Sequence, residues 1–249
     1  MIEKHLGRTI DIHGGGIDLV FPHHENEIAQ STCAHGGDTF VRYWLHNGFV
    51  NVDREKMSKS IGNVLLVHEL LEQASGEAIR LALLSAHYRQ PLDWTDDGLD
   101  RATKMLDRLY GAARALSEVD ASPDAAPDPD FIAALNDDLN TPKAMAALFE
   151  LARQANVATA EDDKRRIKGT LLASAALIGL LEQDPEDWFS GNSDDGDGPD
   201  PAEIETLIEA RNDARAAKDF AESDRIRDEL SAKGILLEDG AGGTKWRRA

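Results

Sequence analysis

In the stretch Phe21-Pro-His-His-Glu-Asn-Glu27, an imidazole and a carboxylate, His23 and Glu27, stand four residues apart. On a helix that spacing puts both on one face, about one turn apart, as a pair of metal ligands requires. His24 and Glu27, three apart, form a competing pair. A helix N-terminus whose acids favour its dipole would carry the same residues with no metal at all. Zinc takes four ligands, or three with one position open, so two residues are half a site. Cys33 does not supply a third. Ten residues along a helix is about 15 Å, and the spacing turns it off the His23 face, so Cys33 reads as a small buried hydrophobe.

Two further stretches could handle phosphates. Asp53-Arg-Glu-Lys-Met-Ser-Lys-Ser-Ile-Gly-Asn63 is a polar loop with lysines at 56 and 59. Lysines on a loop can swing onto a phosphate and stabilise charge that develops during nucleotidyl transfer. A plain solvated loop has the same charge. His13-Gly-Gly-Gly-Ile-Asp18 follows an apolar segment. Its glycines would let a nucleotide approach the backbone closely, as they would also serve a bare turn. The run is neither a GxGxxG fingerprint nor a Walker A loop. Near the other end, Arg211, Arg215, Lys218, Arg225 and Arg227 are interleaved with acids, which suits a salt-bridged solvated face. Lys245, Trp246, Arg247 and Arg248 suit an edge that contacts phosphates and bases.

These residues need elements to hold them. Thr9 to His13 reads as a short strand running into the glycines. Pro22 stands where a helix would open, and Gly36-Gly37 where it would close. Tyr43 to Val52 reads as a second strand before the polar loop. From about residue 65 the pattern turns helical, with Leu99, Ala102, Leu106, Leu109, Ala113 and Leu116 at three- and four-residue steps. Residues 141–157 and 163–182 repeat that pattern, which predicts a small helical bundle. The tail predicts helices over 202–217 and 219–233, then a hairpin from Ile235-Leu-Leu to Thr244-Lys-Trp246. Proline- and acid-rich breaks fall at 120–130 and 190–201. A nucleotide-binding sheet needs several parallel strands. Two or three precede the helices, so the sheet is very small or lies mostly outside this chain.

Composition bounds the rest. The 249 residues carry 27 Lys and Arg against 46 Asp and Glu, a net charge of −19. That argues against a general polyanion binder. Residues 120–130 and 184–200 hold four and seven of those acids with no Lys or Arg, so a local nucleic-acid contact stays open. A single cysteine excludes an intrachain disulfide framework, and it excludes any zinc module that draws two or four cysteines from this chain alone. No apolar run reaches the ~18–20 residues of a membrane span. No signal-peptide core follows Met1, so a cytoplasmic location is expected.

The string Lys56-Met-Ser-Lys-Ser60 and the run Asp11 to His35 resemble cysteinyl-tRNA synthetase, a class I aminoacyl-tRNA synthetase. Asp137-Asp-Leu-Asn-Thr-Pro142, Gly234-Ile-Leu-Leu-Glu-Asp-Gly240 and Gly243-Thr-Lys-Trp-Arg-Arg248 extend the resemblance over the whole length. It implies an α/β remnant of a class I Rossmann catalytic domain, a mostly α-helical bundle and a small α+β C-terminal domain. The boundaries expected are 1–64 for the catalytic portion, 65–120 for a stem-contact region, 121–189 for the bundle, 190–200 for an acidic linker and 201–249 for anticodon recognition.

The implied activity is ATP-dependent activation of cysteine and its transfer to tRNA-Cys, by a monomeric enzyme with no membrane partner. The resemblance makes His23 and Glu27 zinc ligands and Lys59, assisted by Lys56, the transition-state cations. Gly14, Gly15, Gly16 and Asp18 would line ATP, which arrives with magnesium. Arg215, Asp224, Asp239 and Trp246 would read the anticodon. A soft thiolate on zinc separates cysteine from serine better than shape can. The family's N-terminal half, with its HIGH motif and two cysteine zinc ligands, has no counterpart in this sequence, and activity is expected to depend on it. Two alternatives are a non-catalytic tRNA-binding module and the related ligase that joins cysteine to an amino sugar.

Overall fold

The computed structural model describes residues 2–52, 55–57, 62, 64–190, 199–240 and 243–248. After a short helix, α1 (Ile2–Leu6), strand β1 (Ile10–Gly16) runs through the glycines and lies parallel to β2 (Val41–Asn47), with Ile12 opposite Tyr43 and His13 opposite Trp44. Between them come two turns, Ile17–Leu19 and Val20–His24, and helix α2 (Glu25–Ala34). Phe21 is extended (φ −134°, ψ 134°), which breaks the winding just before Pro22. Pro22 follows that break and opens the winding that runs through His24 into α2, as expected. The expected stop holds: Gly36 and Gly37 take left-handed backbone (φ 66° and 98°) just past α2.

The second strand is also divided. Gly48 separates β2 from β3 (Val50–Val52), because it lies against the Gln90 carbonyl where a Cβ has no room. Strand β3 pairs antiparallel with β4 (Glu55–Lys56) and parallel with β5 (Leu92–Trp94). Helices α3 (Val67–Leu71) and α4 (Gly76–Leu84) lie between them in sequence. Helix α5 (Asp96–Arg114) is capped by the Thr95 hydroxyl, which accepts from the Gly98 N–H.

The bundle continues with α6 (Pro129–Asn136), α7 (Thr141–Val157), α8 (Glu161–Ala176) and α9 (Pro185–Ser190). Its core joins Leu81, Leu106, Leu109, Tyr110, Phe131, Leu148 and Leu171, all fully buried. The 120–130 break and the start of the acid-rich stretch 184–200 pack into it. Gly169 of α8 sits against Ala125 and Ser122, and the Asp128 side chain caps α6 by accepting from the Asp130 and Phe131 N–H groups. Within 184–200, residues 185–190 are helical, with Phe189 buried and Trp188 stacked on Tyr110. Acids at a helix start favour its dipole, so acid alone did not mark a linker.

Helices α10 (Pro201–Ala216) and α11 (Phe220–Ala232) and the hairpin β6 (Ile235–Gly240) and β7 (Gly243–Arg248) form a separate small core of Ile204, Ile208, Ile226, Leu230, Ile235 and Trp246. A third and smallest core, Ile10, Phe40 and Val41 with Ile28 and Trp44, supports the β1–β2 pair. The opposite face of that pair leaves Ile12 67% and Tyr43 70% exposed. Among the described residues, no helix is long and apolar enough to cross a membrane.

Candidate metal, nucleotide and RNA sites

Strand β1 delivers His13 and helix α2 delivers Glu27 to the same point. His13 Nε2 lies 3.2 Å from Glu27 Oε2, and His23 Nε2 lies 3.5 Å from Glu27 Oε1. The carboxylate is thus shared between two imidazoles. Its Oε2 is buried and, among the described residues, finds no hydrogen-bond partner. The turn before α2 aims His24 inward, where it is 3% exposed and meets His13 edge-on at a ring distance of 4.9 Å. Ligand atoms of His13, His24 and Glu27 all fall within 4.8 Å of one another. His23 is the outer member, its side chain 58% exposed.

The surroundings explain the order in this group. The His24 Nδ1 is 2.8 Å from His46 Nε2, which fixes the ring, and His46 stacks on Trp44 with the planes 2° apart. Burial holds His24 below the ordinary imidazole pKa, and the neighbouring His13 and His46 push it the same way. It is therefore neutral, as a metal-ligating imidazole must be. Gly15 is needed where it stands, because a Cβ there would meet the His24 ring at 2.9 Å.

The expected ligands His23 and Glu27 are thus brought together, but the tightest group replaces His23 with His13 and His24. Sequence reasoning named His24 only as a rival pair with Glu27. It saw His13 only as the start of the glycine run, and missed His46 and Trp44. The signal lay in the parallel register of two strands 30 residues apart, which local spacing does not carry. Cys33 is exposed, not buried. Helix α2 meets the small sheet core through Ile28, and Cys33 falls outside that contact.

Gly14, Gly15 and Gly16 belong to β1 itself, so the glycines form a strand end and not a free loop. The Asp18 carboxylate folds back on Gly16, where a Cβ would lie 2.6 Å from Oδ1. Lys56 ends β4, across from Asn51 of β3. Lys59 lies outside the described residues, as do Lys56's side chain and those of Lys245, Arg247 and Arg248.

In the C-terminal unit, Asp239 accepts two bonds from Arg211, at 2.8 and 2.9 Å, one from Arg215 at 3.0 Å and one from the Thr244 hydroxyl at 2.8 Å. Those donors, Arg211 above all, hold its carboxyl well below the usual carboxylate range. Asp224 pairs with Arg227 at 3.2 Å and is exposed. Trp246 is buried and its indole N–H donates to Glu205 at 2.8 Å. Arg215 and Asp239 are therefore in contact, while Trp246 sits in the core with its indole nitrogen on Glu205. Arg211, which sequence reasoning left among the solvated cations, is the buried partner that organises the group.

Comparison with known proteins finds three matches along the chain. Residues 1–104 match the tRNA synthetases class I (C) catalytic domain, residues 130–182 the DALR domain and residues 199–247 the cysteinyl-tRNA ligase anticodon binding domain. The cysteine–tRNA ligase of Parvibaculum lavamentivorans is 64% identical over 251 residues, which is 100% of this chain and 53% of that protein. That of Paramagnetospirillum magneticum is 60% identical, over 100% of this chain and 54% of that protein. The chain belongs to the cysteine–tRNA ligase family. It spans about half the length of the curated relatives it matches. Among solved structures, a ternary LeuRS–tRNA–LeuAMS complex from Agrobacterium radiobacter K84 aligns with a TM-score of 0.51 at 19% identity, covering 72% of this chain and 27% of that one. At that identity the likeness is one of fold: a class I synthetase remnant within a mostly helical chain.

Proposed function

We propose that this chain supplies the thiol-recognising, phosphate-binding and tRNA-binding parts of a cysteine–tRNA ligase. The observation that carries the reading is the Glu27 carboxylate, shared by His13 and His23, whose buried Oε2 finds no hydrogen-bond partner among the described residues. A buried carboxylate oxygen set among imidazoles fits a cation, and the donor set of nitrogen and oxygen fits zinc. Glu27 with His23 would hold that ion, and His13 and His24 would orient the carboxylate from the inner side. When bound, zinc supplies a soft site for a thiolate, which serine cannot match.

The remaining roles follow the same division. Gly14, Gly15, Gly16 and Asp18 would line ATP, which binds with magnesium. Lys59 and Lys56 would stabilise charge at its phosphates during adenylate formation. Arg215, Asp224, Asp239 and Trp246 would meet the anticodon. Asp239 is saturated by Arg211, Arg215 and Thr244, so Arg215 is the freer group to meet RNA first. The match of residues 199–247 to an anticodon binding domain counts against the amino-sugar ligase reading.

A parallel sheet is ordinarily covered on both faces, and Ile12 and Tyr43 are bare here. Adenylate formation therefore needs further polypeptide over that face. The test is cobalt substitution of the whole chain. Cysteine should produce a thiolate-to-cobalt charge-transfer band that serine does not, and Glu27→Gln should abolish it. No band with cysteine would overturn the reading. Cysteine-dependent ATP–pyrophosphate exchange by the chain alone would overturn the need for further polypeptide.

A further inference from the structure

The turn between α6 and α7 holds both Asp138 (φ 55°) and Leu139 (φ 53°) in left-handed backbone. Residues with a Cβ keep that conformation only where their surroundings impose it. One side of the turn is fixed by Asn140, whose side chain caps α7 by accepting from the Lys143 N–H at 3.2 Å. The other side reaches out of the bundle. The Asp138 carboxylate accepts from the Tyr88 hydroxyl at 2.7 Å and from Arg89 Nε and Nη2 at 2.6 and 3.1 Å. Three residues further on, the Thr141 hydroxyl donates to the Ala86 carbonyl at 3.3 Å. A single turn thus grips the segment 86–89.

That segment and the start of β5 are bonded in turn to Gly48 and Phe49, which lead into β3. The Gly48 N–H donates to the Tyr88 carbonyl at 2.8 Å and the Leu92 N–H to the Phe49 carbonyl at 2.9 Å. Gly48 packs on the Gln90 carbonyl with no space between them. Strand β3 then pairs with β4, which carries Lys56. Every step from the bundle turn to the lysine-bearing hairpin is a direct contact. Arg89 and Asp138 have side chains 50% and 47% exposed, and pairs so exposed contribute little to stability. Three donors converging on one exposed carboxylate serve to fix a geometry more than to hold the fold.

We infer that Asp138 is a positioning residue, through which the helical bundle sets the placement of the β3–β4 hairpin and of Lys56. Any ligand that shifts the α6–α7 turn shifts the hairpin along the same path. The identity of that ligand as tRNA rests on the function proposed above, whereas the mechanical link does not.

The experiment is amide hydrogen exchange on the whole chain and on Asp138→Asn, which keeps an acceptor for Tyr88 but weakens the hold on Arg89. In the variant the amides of Gly48 and Leu92 should exchange about threefold faster, with α8 unchanged. Unaltered rates at Gly48 and Leu92, in a variant whose 137–141 turn exchanges faster, overturn the inference. If Asp138→Asn also speeds α8, the decision passes to Arg89→Lys, for which the same two outcomes apply. A tRNA-Cys transcript is then added. In the native chain it should slow exchange over 48–57, and Asp138→Asn should bind it with the same Kd yet lose that slowing. Equal slowing in both proteins overturns the inference. If the transcript binds neither protein, the tRNA reading fails, and the ligand-free comparison alone decides the positioning role.

Discussion

Replacing Tyr110 by Phe isolates one oxygen atom on which the docking of α9 depends. Tyr110 is fully buried and stacks on Trp188 with ring centres 4.5 Å apart and planes 10° apart, a contact that Phe retains. Its hydroxyl donates to Glu77 Oε2 at 2.7 Å and accepts from the Gln183 N–H at 3.2 Å. Glu77 is itself buried, and its other oxygen accepts from the Glu182 N–H at 3.1 Å. The substitution therefore strands a buried carboxyl oxygen and a backbone donor together. Each unsatisfied group costs about 1–3 kcal/mol, and Gln183 is exposed, so water replaces part of its bond and the loss should be about 2–4 kcal/mol. In urea monitored by far-ultraviolet circular dichroism, that corresponds to a midpoint lower by roughly 1–2 M. Glu77→Met combined with Tyr110→Phe removes both ends of the bond. The double variant should be more stable than the two single losses added, by about 1 kcal/mol or more.

The same residue gives an alkaline signature. Burial, and then the bond to Glu77, push the Tyr110 hydroxyl far above its ordinary value of 10.0. Below that pH the phenol is protonated in both folded and unfolded chains, and its contribution to stability is complete. Above it the unfolded chain ionises while the folded one does not, so stability falls as pH rises. That part of the alkaline decline should be missing from Tyr110→Phe. A variant within about 0.5 kcal/mol of the native chain, the range of surface substitutions, with an unchanged alkaline slope, would refute the reasoning.

Three further substitutions test the packing. Asp239→Asn should lower the stability of the C-terminal unit near neutral pH but not in acid. The lowered pKa of Asp239 makes its contribution present above the unfolded value of 3.8 and lost as pH falls below it. Unfolding followed by Trp246 fluorescence should show the two proteins converging at low pH, and a constant gap would count against the Arg211 pairing. Gly48→Ala and Gly111→Ala should act in opposite directions. A Cβ at Gly48 meets the Gln90 backbone, whereas at Gly111 in α5 it meets nothing within 4 Å. The first should cost about 1–3 kcal/mol and the second should gain about 0.5–1 kcal/mol, read from thermal unfolding.

What the sequence disclosed depended on the range of the signal. Helix α5 was legible because its code is local: Leu99, Ala102, Leu106, Leu109, Ala113 and Leu116 recur at helical steps and all six are buried. Helices α10 and α11 and the β6–β7 hairpin were legible for the same reason. Strand β5 was hidden. It has three residues, and its partner β3 lies some forty residues earlier, so neither period nor turn marks it. His13 was hidden for a related reason, since only the packing of α2 against β1 sets it beside Glu27. The misplacement of Cys33 has a different cause. Burial was inferred from residue type, and α2 has too little covering it for residue type to decide.

That unequal cover bears on how the metal group would behave. The bundle core is large and closed, and the C-terminal unit is small but closed. The group of His13, His24 and Glu27 rests instead on Ile10, Phe40, Val41, Ile28 and Trp44, beneath a sheet whose other face is bare. Carboxylate and imidazole ligands hold a cation firmly only when their own partners fix them. His24 has such a partner in His46, and Glu27 Oε2 finds no hydrogen-bond partner among the described residues. An ion held by His23 and Glu27 would fix the carboxylate that meets His13 of β1, so its binding energy would in part be folding energy for residues 10–47. Covering Ile12 and Tyr43 would stabilise the same two elements from the opposite side. By linkage, whatever covers that face tightens the metal site, and the metal tightens the grip on whatever covers that face.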